Sequence, residues 1–169
     1  MGLIEFEIIL ASIISMSAPL VLAVVGETIS ERVGIVNLSL EGSLLITAMI
    51  GFAVASLTGN VFWGFGAAAI LGGSIALLIC FANITLYINM IAVGFTLTIL
   101  LGKLSSYLGQ PFVRIPGPYV PKIDVPWLSD LPVIGRSVVD QNVVVWLSIV
   151  SIILSWWFLY KTKVGLTLN

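Results

Sequence analysis

The chain has 169 residues, of which 59% are hydrophobic and only 9% are charged, and its mean hydropathy is +1.17. A soluble domain carries about 25% charged residues, and a chain this short must expose much of its surface, so we expect that surface to face lipid. The formal net charge of −1 argues against nucleic-acid binding, which needs a clustered basic surface. The sequence has no histidine and one cysteine, Cys80, which excludes imidazole catalysis, a Cys/His zinc site and an internal disulfide.

The first apolar run, Ile8–Val25, is long enough to cross a bilayer, which takes about 20 mostly apolar residues. Glu5 and Glu7 precede the run and no Lys or Arg does. Export signals begin with positive charge, so we expect this run to remain in the protein as a membrane anchor. Pro19 lies inside it and is expected to bend the helix.

No charged residue occurs between Gly42 and Gly102, a stretch long enough for three further spans. Polar residues divide it, and the spans are placed at Ser43–Leu57, Val61–Phe81 and Leu86–Leu108. A fifth span, Val143–Tyr160, ends in aromatic residues and is followed by Lys161 and Lys163. Aromatic and basic residues at such an end are typical of the water interface.

Six of the seven prolines lie in residues 110–141, so the segment between the fourth and fifth spans cannot be a regular helix. Its alternating apolar residues predict that it packs down on the helices: Ile123, Val125, Trp127, Leu128, Leu131 and Val133.

Lys161 and Lys163 favour the cytoplasmic side, which places the 110–141 loop outside and residues 26–42 inside. The predicted fold is all-α: a polytopic integral membrane protein with about five transmembrane helices in one domain over residues 1–169.

The third span carries small residues every four positions, at Gly64, Ala68, Gly72 and Ala76. A ridge of small residues lets a second helix approach closely and gain dispersion contacts. The pattern therefore favours helix packing over a direct role in a substrate path.

The fourth span carries a polar stripe of Asn89, Thr96 and Lys103 on one predicted face, since steps of seven residues return to nearly the same angle. Polar groups at membrane depth are costly unless they face a cavity or a protein partner. Two interpretations stay open. Either Asn89 and Thr96 line a substrate path, or the stripe makes interhelical and interfacial hydrogen bonds.

The segment 26–42, GETISERVGIVNLSLEG, holds four charges between two apolar runs. Its apolar residues alternate with polar ones, which fits neither a solvated loop nor an ordinary span, so a broken or re-entrant segment is predicted. Asn37 and Glu41 lie four residues apart and would share one helical face, and they are candidate substrate-path residues. Glu31 and Arg32 are a candidate structural ion pair.

This segment resembles one found near the start of the permease subunits of ATP-binding-cassette importers for nucleosides and simple sugars. The matching features are Ser30-Glu31-Arg32, Gly34, Val36-Asn37 and Leu40-Glu41-Gly42. Residues 88–98 (INMIAVGFTLT) resemble the family's fourth-helix motif, and residues 160–168 (YKTKVGLTL) resemble its Arg/Lys-x-x-x-Gly-Leu segment. The sequence departs from the family at Thr98, where Asn is usual, and at Val93, where a small polar residue is common. Family members are roughly twice as long, so the chain looks like an N-terminal portion, incomplete at its C-terminus, which we expect to insert but not to transport alone.

The resemblance implies a permease subunit of the plasma membrane that translocates nucleosides while separate subunits hydrolyse ATP. It also implies three partners: ATP-binding subunits, a second permease subunit and an extracytoplasmic substrate-binding protein. The chain itself has no G-x-x-x-x-G-K-[ST] nucleotide motif, and neither enzymatic activity nor a cofactor is expected of it. The alternatives are a simple-sugar permease of the pentose type and a non-transporting membrane scaffold or fragment.

Overall fold

A computed structural model describes residues 3–32, 34, 36–120, 142–163 and 165. Five α-helices lie in these ranges: α1 (Leu3–Arg32), α2 (Leu40–Thr58), α3 (Val61–Ile84), α4 (Met90–Gly109) and α5 (Val143–Lys161). A single 3-10 turn, Gln110–Phe112, follows α4. All five helices are long and apolar enough to cross a membrane, which confirms the all-α fold with five predicted spans.

Asparagine side chains begin three of the helices. The side chains of Asn60, Asn89 and Asn142 accept hydrogen bonds from backbone N–H groups in the first turns of α3, α4 and α5. Each bond satisfies a donor for which the first turn offers no intrahelical partner. Between α2 and α3, Gly59 adopts a φ of 67°, and this left-handed conformation lets the chain reverse at once.

Helix α1 differs most from its predicted bounds, because it extends beyond Ile8–Val25 at both ends. A helix of 30 residues is about 45 Å long, whereas the hydrocarbon core of a bilayer is about 30 Å thick. Apolar composition therefore marks only the part of α1 that lies in lipid.

The predicted break within 26–42 is present, but it is confined to the residues between Arg32 and Leu40. Whether this segment re-enters the membrane stays a prediction.

The chain divides into two compact units, residues 1–34 with 120–169 and residues 35–119. In the first unit α1 packs along α5. Asn142, the N-cap of α5, donates from Nδ2 to the Ser15 hydroxyl at 3.1 Å. Near the other end, the Arg32 guanidinium donates to the Tyr160 hydroxyl at 2.9 Å and lies 5.4 Å from the centre of its ring, a cation–π distance. Asn142 and Tyr160 follow each other along the chain in the same order as their partners Ser15 and Arg32. The two helices therefore run parallel.

The parallel arrangement places the C-terminal ends of α1 and α5 on the same side of the first unit. Arg32 and Lys161 both lie at this end. Basic residues favour the cytoplasmic side, so a single orientation of the pair suits both residues. The assignment of this end to the cytoplasm stays a prediction.

In the second unit α2 packs against both α3 and α4. Its buried apolar cluster joins the three helices and consists of Ile46, Ile75, Ile79 and Leu101. The contact of α2 with α3 is close: a Cβ on Gly64 would lie 2.8 Å from the Ala55 Cβ, and one on Gly51 would lie 3.3 Å from the Ala68 Cβ. The small-residue ridge was predicted to pack against another helix, and the structure shows that this helix is α2.

The start of the proline-rich loop returns to the second unit. Gly117 lies against the ring of Phe52 in α2, where an added Cβ would be 2.6 Å from Cε2. The six apolar loop residues predicted to pack on the helices, which begin with Ile123, lie outside the described residues.

Candidate functional site

The link segment, residues 36–39, leads into α2 through a side-chain turn. The Asn37 Oδ1 atom accepts two hydrogen bonds from Ser39, one from its backbone N–H at 3.1 Å and one from its hydroxyl at 2.6 Å. Asparagine commonly forms such a turn by bonding to the backbone two residues on. Ser39 is fully buried, so both of its donors require the partner that Asn37 supplies.

Two glycines bring the link segment and α2 against α4. A Cβ on Gly94 would lie 3.2–3.3 Å from the Leu38 Cβ and from the backbone nitrogens of Leu38 and Ser39. A Cβ on Gly42 would lie only 2.6 Å from the Thr98 Cα. Each glycine thus faces the backbone of the opposite element, and this close approach requires that neither has a side chain.

Two hydroxyl groups of α4 bond across the same contact. Thr98 donates to the Leu38 carbonyl, and Ser105 donates to the Leu45 carbonyl at 2.9 Å. Both donors are paired with an acceptor 60 residues earlier in the chain, so the two bonds fix one register between α4 and the facing segment. In a membrane, such interhelical bonds and close packing of small residues hold helices together.

The predicted common face of Asn37 and Glu41 is not observed. Asn37 precedes the helix, since α2 begins at Leu40 and Ser39 is its N-cap. The N–H and the hydroxyl of Ser39 both donate to the side chain of Asn37. This turn competes with helical hydrogen bonding, so the helix begins after residue 37. Glu41 lies in the first turn of α2 and is exposed. A carboxylate at this position is favoured by the partial positive charge of the helix N-terminus.

Asn89 and Thr96, of the predicted polar stripe on α4, do not lie beside Asn37 and Glu41. Asn89 caps α4 by accepting from Ile91 N–H at 2.9 Å, and so it lies outside the helix face. The Thr96 hydroxyl donates back to the Ala92 carbonyl at 2.9 Å and its side chain is exposed. At about 100° per residue, Thr96 lies about 160° around α4 from Thr98. It therefore faces away from α2, and its role in a substrate path stays a prediction.

The candidate pair of Glu31 and Arg32 also stays a prediction. The structure shows a different contact for Arg32, with the hydroxyl and ring of Tyr160. The Glu31 carbonyl accepts from Gly34 N–H at 2.9 Å, which closes the last turn before the break. Gly34 has a φ of 80°, a conformation that glycine adopts without cost.

The sequence analysis did not identify the face of α4 that contacts the link segment and α2. That face consists of small residues and hydroxyls three or four positions apart: Gly94, Thr98, Gly102, Ser105 and Gly109. The spacing matches one side of a helix. These small residues are a usable sequence signal, but the polar stripe with a period of seven lies on the opposite side of α4.

Comparison with known proteins gives a consistent picture. The family described as "Branched-chain amino acid transport system / permease component" matches residues 9–169. The chain is 34% identical over 151 residues to a putative glucose ABC transporter permease protein, TsgC13, of Haloferax volcanii, in an alignment that covers 87% of this chain and 46% of the relative. No solved structure matches the chain.

Two further relatives are named for nucleosides. The chain is 32% identical to the nucleoside ABC transporter permease protein NupC of Lactococcus lactis and 34% identical to the guanosine ABC transporter permease protein NupQ of Bacillus subtilis. Both alignments cover 96% of this chain and 55% of the relative. The chain therefore spans about half the length of the curated relatives that it matches.

The family match begins at residue 9, within α1, and extends over the other four helices of spanning length in the described ranges. The helices and the transport relatives together place the chain in the plasma membrane as a multi-pass protein. The chain belongs to the family of permease components of the branched-chain amino acid transport system type.

Proposed function

We propose that this chain belongs to the membrane permease subunit of an ATP-driven importer that takes up nucleosides. The observation that carries the proposal is the alignment of 96% of the chain with two permeases named for nucleosides or guanosine. Because the relatives are transport permeases, the chain's contribution is a path for substrate, with no catalytic step of its own. ATP hydrolysis takes place on separate ATP-binding subunits.

The other partners follow from the same family membership. A second permease subunit completes the path, and an extracytoplasmic substrate-binding protein delivers the nucleoside to its outer mouth. The bilayer contacts the exposed apolar side chains of the helices. Those that are more than two thirds exposed include Met16, Leu57, Ile70 and Leu77. Large exposed apolar side chains suit a lipid environment and not water.

Asn37 in the link segment and Glu41 in the first turn of α2 are the proposed substrate-path residues of this part of the chain. Asn37 presents an amide beside the helix start, and Glu41 presents an exposed carboxylate one turn along. A carboxylate accepts hydrogen bonds from ribose hydroxyls or from base amino groups. The start of a helix that follows a non-helical segment is also a recurrent location of substrate groups in membrane transporters.

A simple sugar is the second candidate substrate, and one observation favours it. The putative glucose permease of Haloferax volcanii is 34% identical to this chain. Hydroxyl groups are common to ribose, glucose and nucleosides, so the carboxylate of Glu41 does not distinguish among them.

Uptake by the complete transporter, reconstituted in vesicles with its ATP-binding subunits, tests the substrate. Radiolabelled guanosine should accumulate in the presence of ATP, and unlabelled uridine should compete with it more strongly than glucose or ribose does. Uptake of glucose that guanosine does not inhibit would contradict the nucleoside assignment and favour the sugar. Uptake of neither would contradict the importer itself.

The Glu41→Gln variant tests the path. It keeps the shape of the side chain and removes the charge, so we expect uptake to fall by about tenfold, in line with the loss of a hydrogen bond to a charged group. The amount of protein in the membrane should not change. Ser43→Ala is the matched control in the same turn, since the Ser43 hydroxyl makes only a long contact of 3.5 Å with that of Ser39. Equal loss of protein for Glu41→Gln would indicate a structural role.

A further inference from the structure

One peptide group in the link segment is held at both ends by side chains. The group joins Leu38 to Ser39. Its carbonyl accepts a hydrogen bond from the Thr98 hydroxyl of α4, and its N–H donates to the Asn37 Oδ1 atom at 3.1 Å.

Planarity makes this peptide group rigid. The C=O and N–H bonds of a trans peptide lie in one plane and point in opposite directions. A donor that fixes the carbonyl of Leu38 therefore also fixes the direction of the Ser39 N–H. The second bond from Ser39, from its hydroxyl to the same Asn37 oxygen at 2.6 Å, ties the amide plane of Asn37 to that direction.

Gly94 allows the link segment to lie close to α4. It approaches the backbone nitrogens of Leu38 and Ser39 so closely that an added Cβ would lie 3.3 Å from each. Packing alone sets the distance between the link segment and α4, but it does not set the rotation of the peptide plane. The hydroxyl of Thr98 supplies that rotational restraint.

We propose that Thr98 is a positioning residue for Asn37: through the Leu38–Ser39 peptide it sets the orientation in which the Asn37 amide meets the substrate. The inference rests on the proposed function, because it takes Asn37 as a substrate-path residue. Thr98 itself bonds to the backbone and does not touch the substrate.

The structure provides a matched control in the second bond of the same face. Ser105 donates to the Leu45 carbonyl at 2.9 Å, seven residues along α4 and seven residues along the facing segment. Leu45 lies inside α2, whose backbone is fixed by its own helical bonds. Loss of the Ser105 hydroxyl therefore weakens the helix contact without freeing any peptide near Asn37.

Transport kinetics of the complete transporter test the proposal. Thr98→Val keeps the shape of the side chain and removes the hydroxyl, and we expect it to raise KM for guanosine by about three- to tenfold, the factor that corresponds to one hydrogen bond. Thr98→Ser restores the donor and should restore KM. Ser105→Ala should leave KM within about twofold of the wild type, even where it lowers protein stability as much as Thr98→Val does. Equal KM values for Thr98→Val and Ser105→Ala would overturn the proposal.

A double-mutant cycle gives a second, independent result. Once Asn37→Ala has removed the amide, its orientation no longer matters, so adding Thr98→Val should raise KM by less than about twofold more. The effects of Asn37→Ala and Ser105→Ala should instead multiply. Full multiplication of the Asn37→Ala and Thr98→Val effects would show that the two residues act separately.

Hydrogen exchange separates failure of this inference from failure of the proposed function. If the wild-type transporter takes up no nucleoside, the function is wrong, but the restraint on the peptide is still measurable. In the intact transporter, exchange of the backbone amide of Ser39 should be faster in Thr98→Val than in the wild type or in Ser105→Ala. Unchanged exchange in Thr98→Val would overturn the positioning role whatever the substrate is.

Discussion

Replacing Gly42 by alanine tests how closely α2 and α4 must approach. An added Cβ would lie 2.6 Å from the Thr98 Cα and 2.7 Å from the Thr98 carbonyl oxygen, roughly 1 Å less than the optimal carbon separation of about 3.5–4.0 Å. Both neighbours are backbone atoms, so no side-chain rotation relieves the overlap and the helices must move apart. Overpacking costs about 1–3 kcal/mol, and each of the two hydroxyl bonds across the contact is worth about 0.6 kcal/mol in a membrane. We therefore expect the free energy of unfolding to fall by about 2–4 kcal/mol.

Unfolding of the purified protein from mild detergent into SDS measures this change, and two glycines provide a graded comparison. Gly94→Ala should lower the free energy of unfolding less than Gly42→Ala does. Its Cβ would meet its neighbours at 3.2–3.3 Å, so these neighbours need to shift by only a few tenths of an ångström. Gly66→Ala in α3 has nothing within 4 Å and should be neutral or stabilising by up to about 1 kcal/mol, the helix propensity difference. An unfolding free energy for Gly42→Ala equal to that of Gly66→Ala would refute the close approach of α2 and α4.

Two further predictions concern topology and packing. Reporter fusions after Asn60 and within Pro118–Asp130 should report an external location and a fusion after Lys163 an internal one, because the basic residues favour the cytoplasm; an internal signal from the loop would contradict the orientation. In a background without the native cysteine, Gly51→Cys with Ala68→Cys should form a disulfide under mild oxidation, since their Cβ atoms would be 3.3 Å apart, close to the usual 3.5–4.5 Å. Moving the second cysteine one position around α3 should abolish the cross-link, and cross-linking at both positions would contradict the observed contact of α2 with α3.

The helices were predictable from composition because lipid imposes a strong constraint on the sequence. Backbone groups in the bilayer have no water to bond with, so each apolar run of spanning length becomes a helix. The predicted span Val61–Phe81 begins at the observed first residue of α3, and Val143–Tyr160 ends one residue before α5 does. Composition does not determine where a helix ends outside the lipid, where water satisfies the backbone. For this reason α1 continues well past Val25.

The candidate site was less predictable because two kinds of signal compete on α4. Polar residues at a period of seven indicated the face of Thr96 and Lys103, since polar groups at membrane depth are costly and therefore rare. The face that packs consists of glycines and hydroxyls, whose contribution depends on what lies opposite them. The role of Gly94 depends on the backbone of the link segment opposite it, and the role of Thr98 depends on the Leu38 carbonyl opposite it. One sequence gives the pattern but not the opposing atoms.

The position of Thr98 also limits how the candidate path residues can act together. Asn37 and the link segment lie on the side of α4 that faces α2, whereas Thr96 lies about 160° away around the same helix. A substrate small enough to be held by Asn37 and Glu41 does not reach around a helix about 10 Å in diameter. We therefore expect that the two sets do not line one narrow path at the same depth. Within the described residues, the α2 side combines a non-helical segment, an exposed carboxylate and an amide held by hydrogen bonds. We therefore propose that the path lies on that side of α4, and the role of Thr96 in a substrate path stays a prediction.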